Sequence, residues 1–137
     1  MGASIHMHIE VKSHGIWYHY AAPHMFRNFI FFDLLGGIYG KHQPVVPPRG
    51  LPHDRTFVTQ HDWTQDGESS RLHHAGWLSA NELPELQARI KELCQGTGAD
   101  PMSYDLECGI LNTFVNGNSL SQHQGWDDLR LIFWFDN

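Results

Sequence analysis

Two stretches near opposite ends of the chain carry the same strict pattern, and it constrains the fold more than anything between them. In residues 3–12, Ile5, Met7, Ile9 and Val11 alternate with Ser4, His6, His8, Glu10 and Lys12. A period of two is that of an extended strand with one buried face. Leu129, Leu131, Phe133 and Phe135 alternate with Arg130, Ile132, Trp134 and Asp136 in the same way. This second segment is long and apolar, which places it inside a sheet beside the first strand. His14-Gly15 supplies a turn, and Ile16-Trp17-Tyr18-His19-Tyr20 is rich in residues that favour pleated structure, so residues 3–21 read as a β-hairpin.

Phe26 to Leu35 is nearly continuous apolar chain that stops at Gly36-Gly37, the mark of a buried helix with a glycine end. Residues 40–76 carry Pro44, Pro47, Pro48 and Pro52 with little periodicity, and read as a long Pro/His-rich functional loop. Ser79 with Glu82 fits a capping box. Pro84 then predicts a short turn at 80–83 followed by a helix to Gln95, apolar at Leu86, Ile90 and Leu93 and closed by Gly96. Asp105–Val115 fits a short helix or a strand, and Asn116-Gly117-Asn118 a turn. A chain of 137 residues, 41% hydrophobic, is enough for one core. The expectation is a single α+β domain over residues 1–137. An antiparallel sheet of three to five strands, built from the N-terminal hairpin and the C-terminal strand, is packed on its apolar face by two or three helices. Its other face and the long loop form the site.

Charge narrows the function. Fifteen acidic residues against nine Lys and Arg give a formal charge of −6, which argues against non-specific nucleic-acid binding because phosphate affinity needs clustered cations. Two cysteines, Cys94 and Cys108, form no disulfide framework, and no apolar run approaches a membrane span. A cytoplasmic protein is expected. Cys94 falls late in its helix, where the dipole disfavours a thiolate nucleophile. The unusual quantity is histidine: eleven, more than lysine and arginine together. That favours metal or acid–base chemistry.

His6, His8 and Glu10 occupy alternate strand positions, so they project from one face at roughly 7 Å intervals. A His-x-His pair on a strand can chelate one divalent transition metal such as zinc, nickel or manganese. His73 or His74 from the loop and Asp136 from a neighbouring strand would complete the shell, giving His6, His8, His73 and Asp136 as metal ligands. Glu10 and His73 are the candidate catalytic bases. Arg49, held between prolines and a glycine, and Arg130 are the candidate substrate-binding cations. The plainer readings are a solvated sheet face for the histidines, a bridge from Arg49 to Asp54, an ion-paired sheet surface for Arg130 and Asp136, and core or loop-anchoring roles for Trp63, Trp77, Trp126 and Trp134.

The arrangement resembles a family of small uncharacterised proteins found mainly in bacteriophages and prophage-bearing bacterial genomes. Its members open with Met-Gly-Cys-Asp-Ile-His and a glutamate four residues later. An Arg-Asn-aromatic segment, Pro-Arg-Gly-Leu-Pro and Asp-x-His-x-x-Ser-Trp-Leu follow, and they close on Arg-x-x-Phe-Trp-Phe-Asp. The matching residues are Met1, Gly2, Ile5, His6 and Glu10; Arg27, Asn28 and Phe29; Pro48 to Pro52; His73, Trp77 and Leu78; and Arg130 with Phe133 to Asp136. Ala3-Ser4 stands where the family has Cys-Asp, and Arg71 where it has Asp, while His8 and His74 lie nearby with imidazole nitrogens in place of the missing carboxylates. The family carries no established activity. The resulting expectation is a small metal-dependent hydrolase of a nucleotide-like phosphate ester. The alternative is a non-catalytic protein that sequesters a small molecule or inhibits a host protein.

Overall fold

A computed structural model describes residues 3–24, 28–66, 71–95 and 126–137. The two alternating segments pair with each other. Strand β1 (Ser4–Ser13) lies between β2 (Ile16–Ala21) and β4 (Asp128–Asp136), and β3 (Leu72–Ser79) closes the far edge, giving an antiparallel sheet of order β2-β1-β4-β3. The hairpin is tied by His14 and Gly15, both at positive φ (53° and 80°), the backbone of a two-residue turn that matches strand twist. The expected fold class is therefore observed, with β4 beside β1 in the sheet interior.

Helix α1 (Phe29–Gly36) starts where the Asn28 side chain accepts from the Phe31 N–H (3.0 Å) and ends at Gly37, left-handed at φ 65°. Its one polar interruption, Asp33, is buried and accepts N–H bonds from Tyr39 (2.7 Å), Lys41 and His42 (both 3.1 Å), which fixes the turn that follows. A 3₁₀ turn over Ala80–Glu82 leads into α3 (Leu83–Cys94), with the Glu82 carboxylate accepting from the Ser79 N–H (2.8 Å). Phe31, Phe32, Leu34 and Leu35 of α1 and Leu86 and Ile90 of α3 are buried in one cluster with Met7, Ile9 and Val11 of β1 and Leu129, Leu131, Phe133 and Phe135 of β4. Each such side chain contributes about 1.5–3 kcal/mol. Among the described residues no helix is long and apolar enough to cross a membrane.

Residues 40–76 are not one loop. They contain helix α2 (Phe57–Asp66) and the first half of β3. Sequence periodicity misses α2 because its residues are mostly polar and it is anchored by hydrogen bonds. It misses β3 because the strand is broken by a register shift between His73 and Gly76, with His74 at φ 54°. The remaining irregular stretch is a strap. Val45 and Val46 pack on the core side, the Gly50 N–H donates to the Ala75 carbonyl (2.8 Å) at the β3 edge, and Pro52 to Thr56 reach the opposite face of the sheet. The proposed elements over 105–118, and the Gly96 helix stop, lie outside the described residues.

The strap crosses at Gly76, where a Cβ would stand 2.8 Å from the buried Phe133 ring and 3.3 Å from the Pro48 Cα. Gly76→Ala is expected to cost about 1–3 kcal/mol, read as a lower urea midpoint with unchanged slope.

Candidate functional site

The sheet face turned away from α1 and α3 carries His6, His8, Glu10 and Lys12 of β1 in register with Trp134, Ile132, Arg130 and Asp128 of β4. Helix α2 lies across it through Thr59, Asp62 and Trp63, whose i, i+3, i+4 spacing puts them on one helical face. Thr59 reaches Glu10, Asp62 reaches His8, and the Trp63 ring meets Trp134 edge-on at 5.3 Å.

Glu10 is completely buried. Its Oε1 accepts from Arg130 Nε (2.8 Å) and Nη2 (2.6 Å), and its Oε2 accepts from the Thr56 N–H (2.9 Å) and from the hydroxyls of Thr56 and Thr59 (both 2.7 Å). Burial alone pushes this carboxyl up; the hydrogen bonds from Thr59, Thr56 and Arg130 outweigh it and hold it below its ordinary value. Arg130 also donates to Asp54 Oδ1 (2.7 Å) and to the Asp54 carbonyl (3.1 Å), and its guanidinium lies 3.9 Å from the centre of the Trp17 ring.

Beside this pair lies the histidine network. His8, only 3% exposed, places Nε2 2.6 Å from Asp62 Oδ2 and Nδ1 2.9 Å from His19 Nε2. His6 places Nε2 2.6 Å from Asp136 Oδ2 and Nδ1 3.8 Å from Asp62 Oδ2. Both imidazoles stack on Trp134, at 5.5 and 5.3 Å between ring centres. His19 is half-buried, and burial followed by the charge of His8 lowers its pKa, against opposing pulls from Glu10 and Asp62. In the tautomer with the single His8 proton on Nε2, facing Asp62, a lone pair at Nδ1 faces His19. His19 then donates from Nε2 and keeps the lone pair on Nδ1. The network is a chain of oriented imidazoles ending in a base.

The sequence-predicted residues divide accordingly. His6, His8 and Asp136 do share one face. His73 does not join them: it pairs with Phe135 on the opposite side of the sheet, stacks on that ring at 6.2 Å, and contacts Asn137 Oδ1 (2.8 Å) and His74 Nδ1 (2.7 Å). Its role as metal ligand and base at this site is corrected, because the kink at His74 shifts the strand register. Glu10 is likewise no base, since both its oxygens are saturated by donors. Arg130 is buried and bonded to Glu10 and Asp54, and Arg49 donates to the Trp77 carbonyl (3.1 and 2.9 Å) and pairs with Glu82 rather than Asp54. The buried Arg130 is withdrawn from a substrate, whereas the bonds of exposed Arg49 use Nε and Nη2 only. Among the described residues, no three His, Cys, Asp or Glu side chains group as metal ligands.

Asp62 and His19 are the members of this network that sequence reasoning missed. For His19 a signal existed: a two-residue turn at 14–15 fixes Ser13 opposite Ile16 and carries His19 opposite Glu10, on the histidine face. For Asp62 there was little, because α2 shows its spacing only once the partners on β1 are known. No protein-family model, curated protein or solved structure matches the chain, so the chemistry of this face rests on its geometry.

Removing one partner of the buried pair leaves an uncompensated charge. Arg130→Met is expected to cost about 3–5 kcal/mol, and Glu10→Leu combined with Arg130→Met less than the sum of the single variants, measured by a denaturant double-mutant cycle. Because the folded-state pKa of Glu10 lies below 4.5, its contribution is complete above that value and is lost as pH falls through the folded value. Acid unfolding below pH 4.5 is expected to be less steep in Glu10→Gln than in the wild type.

Proposed function

We propose that the chain is a small hydrolase in which the Asp62–His8–His19 chain activates water. The proposed substrate class, a nucleotide-like phosphate ester, is the one suggested by the phage-type resemblance. The observation that supports this reading is the pair of short contacts on either side of the nearly buried His8 ring, 2.6 Å to Asp62 and 2.9 Å to His19. A carboxylate that fixes one imidazole, which in turn fixes a second, sets the tautomer of the terminal base without occupying its reactive nitrogen. The depressed pKa of His19 keeps it unprotonated at neutral pH, as a general base requires. The His6–Asp136 pair supplies a further imidazole on the same sheet face.

The test is hydrolysis of bis(4-nitrophenyl) phosphate, 4-nitrophenyl phosphate and 2′,3′-cyclic nucleotides by untagged protein, with metal content measured on the same sample. His19→Gln is expected to lower kcat/KM by about 10²–10⁴ with little change in thermal midpoint. Wild-type activity is expected to fall with pH only below 6.5, because the base functions when neutral and its pKa lies under that value. Absence of turnover on every substrate removes the hydrolase reading. About one equivalent of zinc, nickel or manganese, lost in His8→Gln, replaces it with a metal-assisted reaction in which an ion stands where His8 and Asp62 share a proton.

A further inference from the structure

The same sheet face holds a second feature, one strand row beyond Glu10 and Arg130. A cleft of about 510 Å³, within the size range of small-molecule sites, is floored by Lys12, Asp128 and Arg130, walled by Trp17 and Trp77 at opposite edges of the sheet, and roofed by Leu51 to Asp54. Nothing in the histidine network uses it.

Its walls are rigid. The Arg49 guanidinium lies 3.7 Å from the centre of the Trp77 ring while donating twice to the Trp77 carbonyl. Arg49 does not line the cleft, so it covers one face of the indole and leaves the cleft side to a ligand. Across the cleft, Arg130, itself a lining residue bonded to Glu10 and Asp54, covers the Trp17 ring at 3.9 Å, so the open indole face is that of Trp77. The open Trp77 face is aromatic surface whose ordering cost is met on folding, which favours a flat ring stacked on it.

The floor carries the polar information. Lys12 and Asp128 are directly opposite in the β1–β4 register. Among the described residues they form no ion pair with each other: Lys12 Nζ makes only a 5.6 Å approach to the Trp17 ring, and the bond made by the Asp128 carboxylate is to its neighbour, the Leu129 N–H. A primary ammonium and a carboxylate side by side, each with capacity to spare, match a heterocycle edge that sets a carbonyl next to N–H groups. Guanine offers that edge: O6 accepts from an ammonium, while N1–H and the N2 amino group donate together to one carboxylate. Adenine presents a donor where guanine has O6 and a bare acceptor at N1, so Lys12 and Asp128 would both face the wrong partner. Lys12 and Arg130 are matched by Asp54 and Asp128 in the lining, so the cleft carries no excess of lysine and arginine to draw in a free anion.

We propose that this cleft binds a guanine-type base, stacked on Trp77, with Lys12 at O6 and Asp128 at N1–H and the N2 amino group. The site stands whether or not the neighbouring imidazoles cut an ester, because base binding needs neither His8 nor His19. The measurement is equilibrium dialysis of guanosine and of adenosine against the full chain. It is paired with the indole N–H signals of Trp17 and Trp77 in ¹⁵N-correlated spectra, assigned through Trp17→Phe and Trp77→Phe. Guanosine is expected to bind at least about tenfold more tightly than adenosine, and Lys12→Met and Asp128→Asn each to lose about tenfold or more. Asparagine keeps the oxygen that accepts from Leu129, so Asp128→Asn should retain the wild-type thermal midpoint. Both indole signals should move on adding guanosine, and that readout uses the unmutated floor. Equal affinity for the two nucleosides, no binding of either at millimolar concentration, or saturation that leaves both indole signals in place would overturn the assignment. Guanosine binding retained in His19→Gln that has lost turnover would separate the cleft from the hydrolytic reading.

Discussion

The Glu10–Arg130 ion pair is the interaction on which the rest of the polar face depends. Taking two charges out of water costs several kcal/mol per ion, and a well-packed apolar pair of similar volume is often as stable. What the apolar alternative lacks is direction. Glu10 and Arg130 are opposite in the β1–β4 register, and a slip of one residue would turn the one on the slipping strand into the Phe133 and Leu131 layer and leave both charges without a partner. The second oxygen of Glu10 accepts from Thr56 and Thr59 at the start of α2, where a carboxylate also complements the helix dipole. One carboxylate thus sets strand register and seats a helix too poor in apolar residues to seat itself.

The seating of α2 is what makes a histidine network out of a histidine-bearing strand. Once Thr59 is fixed on Glu10, the next turn of the helix brings Asp62 over His8 and Trp63 onto Trp134. The indole of Trp134 is fully buried, and its Nε1 has no hydrogen-bond partner among the described residues. An unsatisfied buried donor costs about 1–3 kcal/mol. The return for that cost is a flat floor: both imidazoles lie nearly parallel to the indole, at 11° and 21°, so their ring planes are set before any ligand arrives. A phenylalanine would remove the orphaned donor but would offer a smaller floor to two rings whose parent residues are alternate along β1.

How much of this was legible follows from what each element is made of. Strict alternation in β1 and β4 specified both faces, because every second residue had to enter a core with room only for apolar side chains. The α3 start was readable from Ser79, Glu82 and Pro84, and the α1 end from its glycines, because caps depend on local geometry. The α2 helix was opaque: its residues satisfy partners 46 to 54 positions away in the chain, such as Glu10 with Thr56 and His8 with Asp62, and distant pairing leaves no periodic trace. His73 misled for a related reason. Its neighbour His74 adopts a left-handed backbone, unusual for a residue other than glycine, and that kink moved His73 to the other face.

Both arginines expected to meet a substrate instead share one structural device. Arg130 over Trp17 and Arg49 over Trp77 each pair a planar cation with an indole, and each also donates to fixed oxygens, those of Glu10 and Asp54 in one case and those of Trp77 and Glu82 in the other. Guanidinium is suited to this because its donors lie in one plane and its faces stack while the fork is occupied. In a chain with nine Lys and Arg in all, committing two of them to the scaffold makes the cations that remain informative. Lys12 is such a cation: it lies on the same face, one alternate position along β1 from Glu10, and its ammonium has no such fixed oxygen among the described residues. The proposed recognition on this face therefore falls to a lysine, whose charge is set within a cleft bounded by the two stacked indoles.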